Sequence, residues 1–542
     1  MDKTIYFSAF GGEDTLSRLS LAMEEAGKVP GTTLVIEPGE YIITTPLAKQ
    51  VMSRCISGAY GANPETSMFR PSFEYSKGMD FCGHKGTRVV ADGVKFIVDG
   101  FMEPVSIRDC EDVTLEGLTI DHLRRPFSVG RVIRSTNLSE EEAHIDVLLE
   151  GDSKTHITPK TPVNLRNLYY DPLTQRLEVF PMEGCRGVAV SDGLIRYIGK
   201  NLRRNIVGCE VYIWHSYNFR PAILMERGKN ITLRNVTVHS QPGMGITGND
   251  CENILIDGFR AIPGEGLQVS TNTDAARFTA CKGDLTVINS TFVAEGESAV
   301  NVHGYYHAVL IVDGDRHTVR MEAPSGTHTN TPDYPRVGDI MEVCLSSSLE
   351  TVGTRRVTDV SVRPGTFISD INFDVPLPIN ALEIGMFVSN INALPRLRFE
   401  NNYCRGNFSA AVVCRTRNAV ISGNTFEDVM GTPIYISADA KQCAGVAPAD
   451  ITVESNVMRR CGHRSSPAFG IGGIEVGIAA EEQPSVPQIR NVKIIDNKID
   501  SPDTGVAISI KSVDGLVLGE NINTSSVRDL VVENCNNITV KN

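Results

Sequence analysis

The sequence predicts an all-β protein, a parallel β-helix carrying two inserted small β-barrel-like domains. Three observations lead to this fold. A short motif, Asn or Asp followed by an apolar-x-apolar run, recurs along most of the chain, for example 23 residues apart at Asn230 and Asn253. A repeat that short holds two or three strands and cannot bury its apolar face alone, so successive repeats must stack. The composition agrees, with 48 Gly, aromatics at 6% and frequent Val, Ile, Thr and Asn, which suits short strands and tight turns. Finally, two stretches of nearly 90 residues keep strand-like alternation but lose the motif, and loops of that length need structure of their own.

Taken in order, residues 1–127 hold an N-terminal cap and the first coils. Apolar residues at helical spacing predict a helix over Thr15 to Gly27, followed by TLVIEPGEYIIT, a strand, a Pro-Gly turn and a second strand. A solenoid needs such a cap over its apolar end. The motif starts near residue 85 and appears as Asp112-Val-Thr-Leu. Residues 128–215 form the first insertion, and 216–304 the central coils, with Asn230-Ile-Thr-Leu, Asn253-Ile-Leu-Ile and Asp284-Leu-Thr-Val. Residues 305–393 form the second insertion, whose VGDIMEV and EIGMFV resemble small-barrel strands. Residues 394–542 return to the motif at Asn418, Asp450, Asn491, Gly515, Asp529 and Asn537. Asn and Asp at these turns tolerate a left-handed backbone and can bond from coil to coil.

A formal net charge of −13 offers no basic face for nucleic acid or an anionic membrane, and neutral substrates fit it better. No run of 18 apolar residues predicts a transmembrane helix. The opening MDKTIYFSAFGGED lacks the basic and apolar regions of a signal peptide, so a cytoplasmic location is expected. Thirteen cysteines, an odd number without C-x-x-C pairs, predict neither a disulfide framework nor a zinc site.

Titratable residues concentrate at 274–307, DAARFTACKGDLTVINSTFVAEGESAVNVHGYYH. Asp274 and Glu297 are one repeat apart, which predicts equivalent positions on adjacent coils. Adjacent strands lie ~4.8 Å apart, giving a carboxyl separation of roughly 5–9 Å that spans both retaining and inverting glycosidase geometries. Such a pair divides the work: proximity raises one pKa to make an acid, and the other carboxylate stays ionised as base or nucleophile. Asn301, His303 and Tyr305 would bind sugar hydroxyls and stack on a sugar face. Solvated outward residues on a solenoid would show the same spacing. Glu265, expected on another sheet of the same coil, and Asp333, expected to return from the second insertion, are candidates to join the site. Trp214, closing the first insertion, is a candidate to line a subsite. Asp121 and His122 are read as structural or rim residues, and Glu475 has only its flanking glycines in its favour.

The run TNTDAARFTACKG…INSTFVAEGESAVNVHGYY resembles glycoside hydrolase family 110, inverting exo-acting α-1,3-galactosidases built on a right-handed parallel β-helix. RPAILMERGKNITLRNVTVHSQPGMGI, TIDHLRRPF (119–127) and TFEDVMGTPIYISADA (425–440) fit the same family, so the resemblance spans most of the chain. It implies metal-free sugar hydrolysis with no cofactor. The sequence also departs from the family. An Asp-Asp pair before A-x-N-V-H-G is here Glu297-Ser298, an R-x-R-G element aligns with Phe408-Ser-Ala-Ala, and KQCAGVAPAD replaces an aromatic-acidic element after ADA.

These readings lead to a glycoside hydrolase that releases a terminal α-linked, galactose-like sugar from an oligosaccharide or glycoconjugate. Asp274 and Glu297 would be the catalytic pair, with Asn301, His303, Tyr305, Glu265, Asp333 and Trp214 binding substrate. Neither nucleic acid nor membrane is an expected partner, whereas a homo-oligomer is compatible with the fold. Two alternatives share the scaffold. One is a catalytically inactive carbohydrate-binding protein, suggested by Glu297-Ser298. The other is a polysaccharide lyase or epimerase, which needs cations to neutralise a uronate, and the motif region offers only Arg277 and Lys282.

Overall fold

The computed structural model describes residues 3–61, 64–69, 72–155, 163–215, 218–314, 318–322, 334–363, 366, 368–378, 385–463, 472–501, 505–525 and 527–541. Among them, three long sheets of thirteen, eleven and twelve strands wind into a right-handed parallel β-helix. Each coil supplies one strand to each sheet in turn. The first sheet runs from Thr4–Tyr6 to Asn536–Lys541, the second from Gly39–Thr44 to Ile522–Asn523, and the third from Ser76–Asp80 to Arg528–Glu533.

The repeat motif marks the entry to most strands of the first sheet, whereas Asp529 falls on the third. Asp112, Asn230, Asn253, Asn418, Asp450, Asn491 and Asn537 all adopt φ between 50° and 59°, a left-handed conformation that Asn and Asp accept at low cost. The amides ladder between coils: Asn253 donates to Asn230 at 2.9 Å and Asn230 to Asp112 at 2.8 Å. Beyond the motif, alternate side chains point inward. One continuous apolar cluster runs from Phe7 to Leu518 and includes Ile231, Leu233, Phe278, Phe292, Ile421 and Ile494.

The helix Thr15–Gly27 closes the N-terminal end. Asp14 accepts from Ser17 N–H while the Ser17 hydroxyl accepts from Asp14 N–H, a reciprocal capping box. Leu19, Ala22, Met23 and Ala26 face the first coil. A second helix, Pro46–Ile56, was not foreseen; Thr45 caps it and Pro46 opens it. No helix is long and apolar enough to cross a membrane among the described residues.

Both interruptions are antiparallel and carry separate cores. Strands between Phe127 and His215 form a seven-stranded sheet whose edges are Arg176–Val179 and Glu183–Ser191. Three residues join those two edge strands, so the sheet must roll until its edges approach each other. The edges do not pair, so this unit is barrel-like without closing. Strands between His307 and Asn390 close a six-stranded barrel, whereas Tyr305 still belongs to the solenoid strand Val300–Tyr305. The rolled sheet docks through Phe127, Trp214, Val269, Phe408 and Met430. The barrel docks through Tyr306 stacked on Phe387, 5.5 Å between centroids, and through Arg417 on Glu342 at 2.9 Å.

Candidate active site

The third sheet places the candidate residues. In Val300–Tyr305, Val300 and Val302 enter the core and the alternate Asn301 and His303 point outward. The register sets Arg277 beside Asn301 on one side and Arg415 beside His303 on the other. Asp274 and the segment Glu295–Ser298 lie in the turns leading into this sheet. Those turns are hydrogen-bonded to each other: Gly296 N–H reaches the Thr271 carbonyl, and Phe408 and Ser409 N–H reach the carbonyls of Glu295 and Glu297. Both inserted domains border this region, the rolled sheet at the turns through Phe408 and the barrel at the far end of the strand through Tyr306.

Asp274 and Glu297 share one guanidinium. Arg277 Nη2 lies 2.7 Å from Asp274 Oδ2 and 3.5 Å from Glu297 Oε2. Asp274, 1% exposed, also accepts Arg277 Nε at 2.7 Å, Ser298 N–H at 2.8 Å and Asn301 Nδ2 at 3.4 Å. Glu297 is the open member of the pair, with its side chain 35% exposed. Burial pulls the Arg277 pKa down, but the two carboxylates more than offset this and raise it. The expected equivalence of Asp274 and Glu297 is corrected by one residue. Ala276 pairs with Val300, a local repeat of 24, so Ser298 stands opposite Asp274 and Glu297 precedes it. Arg277 restores the connection that the register alone does not make. It also fills the gap between the carboxylates, so any group on which both act must take its place.

His303 is buried beside these charges. Its Nδ1 donates to the Gly304 carbonyl at 2.8 Å, which leaves Nε2 as an acceptor. Burial, reinforced by Arg277 and Arg415, pushes its pKa down to about 3, so the ring is neutral near pH 7. Tyr305 packs edge-on against it, 5.2 Å between centroids. Glu295, beneath the loop, is fully buried, which pushes its carboxyl well above the usual carboxylate range, and Asn407 Nδ2 donates to it.

No family model matches the chain. Its sequence is similar to proteins named α-1,3-galactosidase. Alpha-1,3-galactosidase A of Shewanella woodyi is 23% identical over 531 residues, covering 92% of this chain and 82% of that one. The protein of that name from Bacteroides fragilis (strain YCH46) is 24% identical, covering 96% and 87%. That of Bacteroides thetaiotaomicron is 22% identical, covering 98% and 94%. Among solved structures, an exopolygalacturonase from Thermotoga maritima superposes with a TM-score of 0.42 at 10% identity, covering 100% of this chain and 92% of that one.

Glu265 and Trp214 do not gather at the pair. Glu265 sits exposed in the loop between the second and third sheets, not on a strand, and forms no hydrogen bond or ion pair with Asp274 or Glu297. Trp214 is fully buried, edge-on to Phe408 at 6.0 Å, so it anchors the rolled sheet rather than presenting a stacking surface. An indole at a domain junction gains more from packing than from exposure. Asp333 lies outside the described residues. Asp121 and His122 bond to Ser240 on the second sheet, at 2.7 Å from its hydroxyl and 2.9 Å to its carbonyl.

Sequence reasoning missed Arg415. The strand pairing sets it beside His303, its guanidinium lies 3.6 Å from Asp439, and it bonds to Ser437 and Gln442 at 3.2 Å each. The site therefore holds two arginines, although the R-x-R-G element is absent. Glu475, set aside in the sequence, lies on the same outward row as Asn301. The available signal was alternation, since an outward Arg in VVCRTRNAVI breaks an otherwise apolar strand.

Proposed function

We propose that this protein is a glycoside hydrolase that removes a terminal α-linked, galactose-like sugar from an oligosaccharide or glycoconjugate. The observation that carries the reading is the pair of unlike carboxylates joined by Arg277, one sealed and one open, beside a neutral imidazole acceptor. Glu297, facing solvent, takes the proton from an attacking water. Once the sugar displaces Arg277 from Oδ2, Asp274 takes up a proton from solvent and gives it to the leaving oxygen as the glycosidic bond breaks. Asp274 ends as the carboxylate and Glu297 protonated, and inversion follows if water and leaving group occupy opposite faces. Asn301 and His303 Nε2 hold hydroxyls of the departing sugar, and Tyr305 fixes the imidazole. The similarity to α-1,3-galactosidases supports the substrate class.

The test is hydrolysis of a panel of p-nitrophenyl α- and β-glycosides and galactose-terminated oligosaccharides. Release from one α-glycoside, reduced at least ~10²-fold by both Asp274→Asn and Glu297→Gln, is expected. Activity untouched by either change rules out this pair.

One observation favours a second reading, an inactive sugar-binding protein: Arg277 occupies the space between the carboxylates and saturates Asp274. Sugar binding without release from any substrate, unaltered by Glu297→Gln, would establish it. A uronate lyase or epimerase is less well supported, because each arginine at the site already faces a carboxylate.

A further inference from the structure

The outward row of the third sheet continues past the carboxylate pair. Strand register aligns Asn301, Val413, Tyr435, Glu475 and Ser509 on five successive strands. At one strand spacing per step, Tyr435 lies about 10 Å from Asn301 and Ser509 about 19 Å. In the middle of the row the short, buried Val413 separates Asn301 from the half-buried Tyr435 and Glu475. The adjacent outward row carries Arg415, then Ser437 and Gly477. A methyl added at Gly477 would touch only Lys511 Cβ, at 3.7 Å, so there is room at Gly477.

Both ends of the row carry a buried polar atom without a hydrogen-bond partner. Asn301 is 8% exposed and Ser509 1%, and neither Asn301 Oδ1 nor Ser509 Oγ is bonded. Buried polar atoms are rarely left so, and these two bracket a phenol ring, a carboxylate and a guanidinium. An aromatic face with hydrogen-bonding groups of both signs around it suits a ring that has C–H faces and hydroxyl edges. We propose that this row is a second saccharide subsite, which holds the sugar next to the one released and makes the preferred substrate an oligosaccharide running toward the C-terminal coils. The proposal rests on the hydrolytic reading above for which sugar is cleaved, but not for the existence of the subsite.

The test compares kcat/KM for p-nitrophenyl α-galactoside with that for a galactose-terminated trisaccharide, in the native protein, Tyr435→Ala and Gly477→Leu. The trisaccharide-to-aryl ratio is expected to fall at least about tenfold in both variants. Gly477→Leu fills open space at an ordinary backbone conformation, and an unchanged melting temperature confirms that it folds. A ratio that stays within twofold in both variants overturns the subsite, leaving those atoms to water. If the native protein cleaves neither substrate, the hydrolytic reading fails, and calorimetry decides on the subsite. Trisaccharide binding tighter than galactose, with the difference abolished by Gly477→Leu, supports it. Equal binding of the two sugars by the native protein overturns it.

Discussion

Asp274 and Glu297 are both acidic, one guanidinium nitrogen touches both, and yet they do different work. Asp274 is buried and ties two turns and two strands together through Arg277, Ser298 and Asn301. Truncating one partner of a buried ion pair strands the other charge, so Asp274→Ala should cost about 3–5 kcal/mol. Glu297→Gln, at a half-open position, should cost well under that, as thermal melts of the two variants will show. Histidines give a second prediction at this scale. Burial holds His303 at about 3 and His122 at about 4, against 6.5 when unfolded. The unfolded chain therefore binds protons that the folded chain refuses. This stability is complete above pH 6.5 and is lost progressively as pH falls toward 3. The melting temperature should drop between pH 7.5 and 5, and less steeply in His303→Gln; an unchanged slope in that variant would refute the assignment. Asp274 and Glu297 were legible as a pair because their spacing is close to one repeat. Arg415 was not, because the barrel between His307 and Asn390 separates it in sequence from the histidine it adjoins.

The turns decide which elements were readable. The outer Asn/Asp positions each open the same apolar-x-apolar run, and so announce the coils directly even where their spacing varies. A second ladder is internal: Asn402, Asn424, Asn456 and Asn497, all buried, each donate Nδ2 to the Oδ1 of the next member at 2.9–3.1 Å, ending at Asn521. Backbone N–H groups of Asn402, Asn424 and Asn456 bond to the same oxygens. It escaped the sequence because each member opens a strand of only two or three residues, too short to show an alternating apolar run. Asn424→Ala leaves the Asn402 N–H and the Phe399 carbonyl without their partner, and a loss of about 2–3 kcal/mol is expected. A surface Asn such as Asn491 replaced by Gly should change the melting temperature far less, since Gly accepts the same φ.

Across the whole molecule, the solenoid, the rolled sheet and the barrel each bury their own apolar cluster. Separate cores joined by modest contacts melt separately. Calorimetry should show more than one transition, with a measured enthalpy above the van 't Hoff value; a single two-state peak would contradict this. The insertions were visible as breaks in the motif, whereas their docking sites were not, because packing partners such as Trp214 and Phe408 are 194 positions apart.

The coil that contains the rolled sheet closes as if the insertion were absent: Asn230 bonds to Asp112 across 118 residues, yet to Asn253 across only 23. Closing the longer loop costs about 1.5 kcal/mol more in chain entropy, and contacts of low sequence separation form first. The coils between Asn230 and His303, like those from Asn402 to Asn521, thus join across short stretches of chain. The carboxylate pair lies inside the first of these runs, so it is placed by coils whose closure waits on neither insertion.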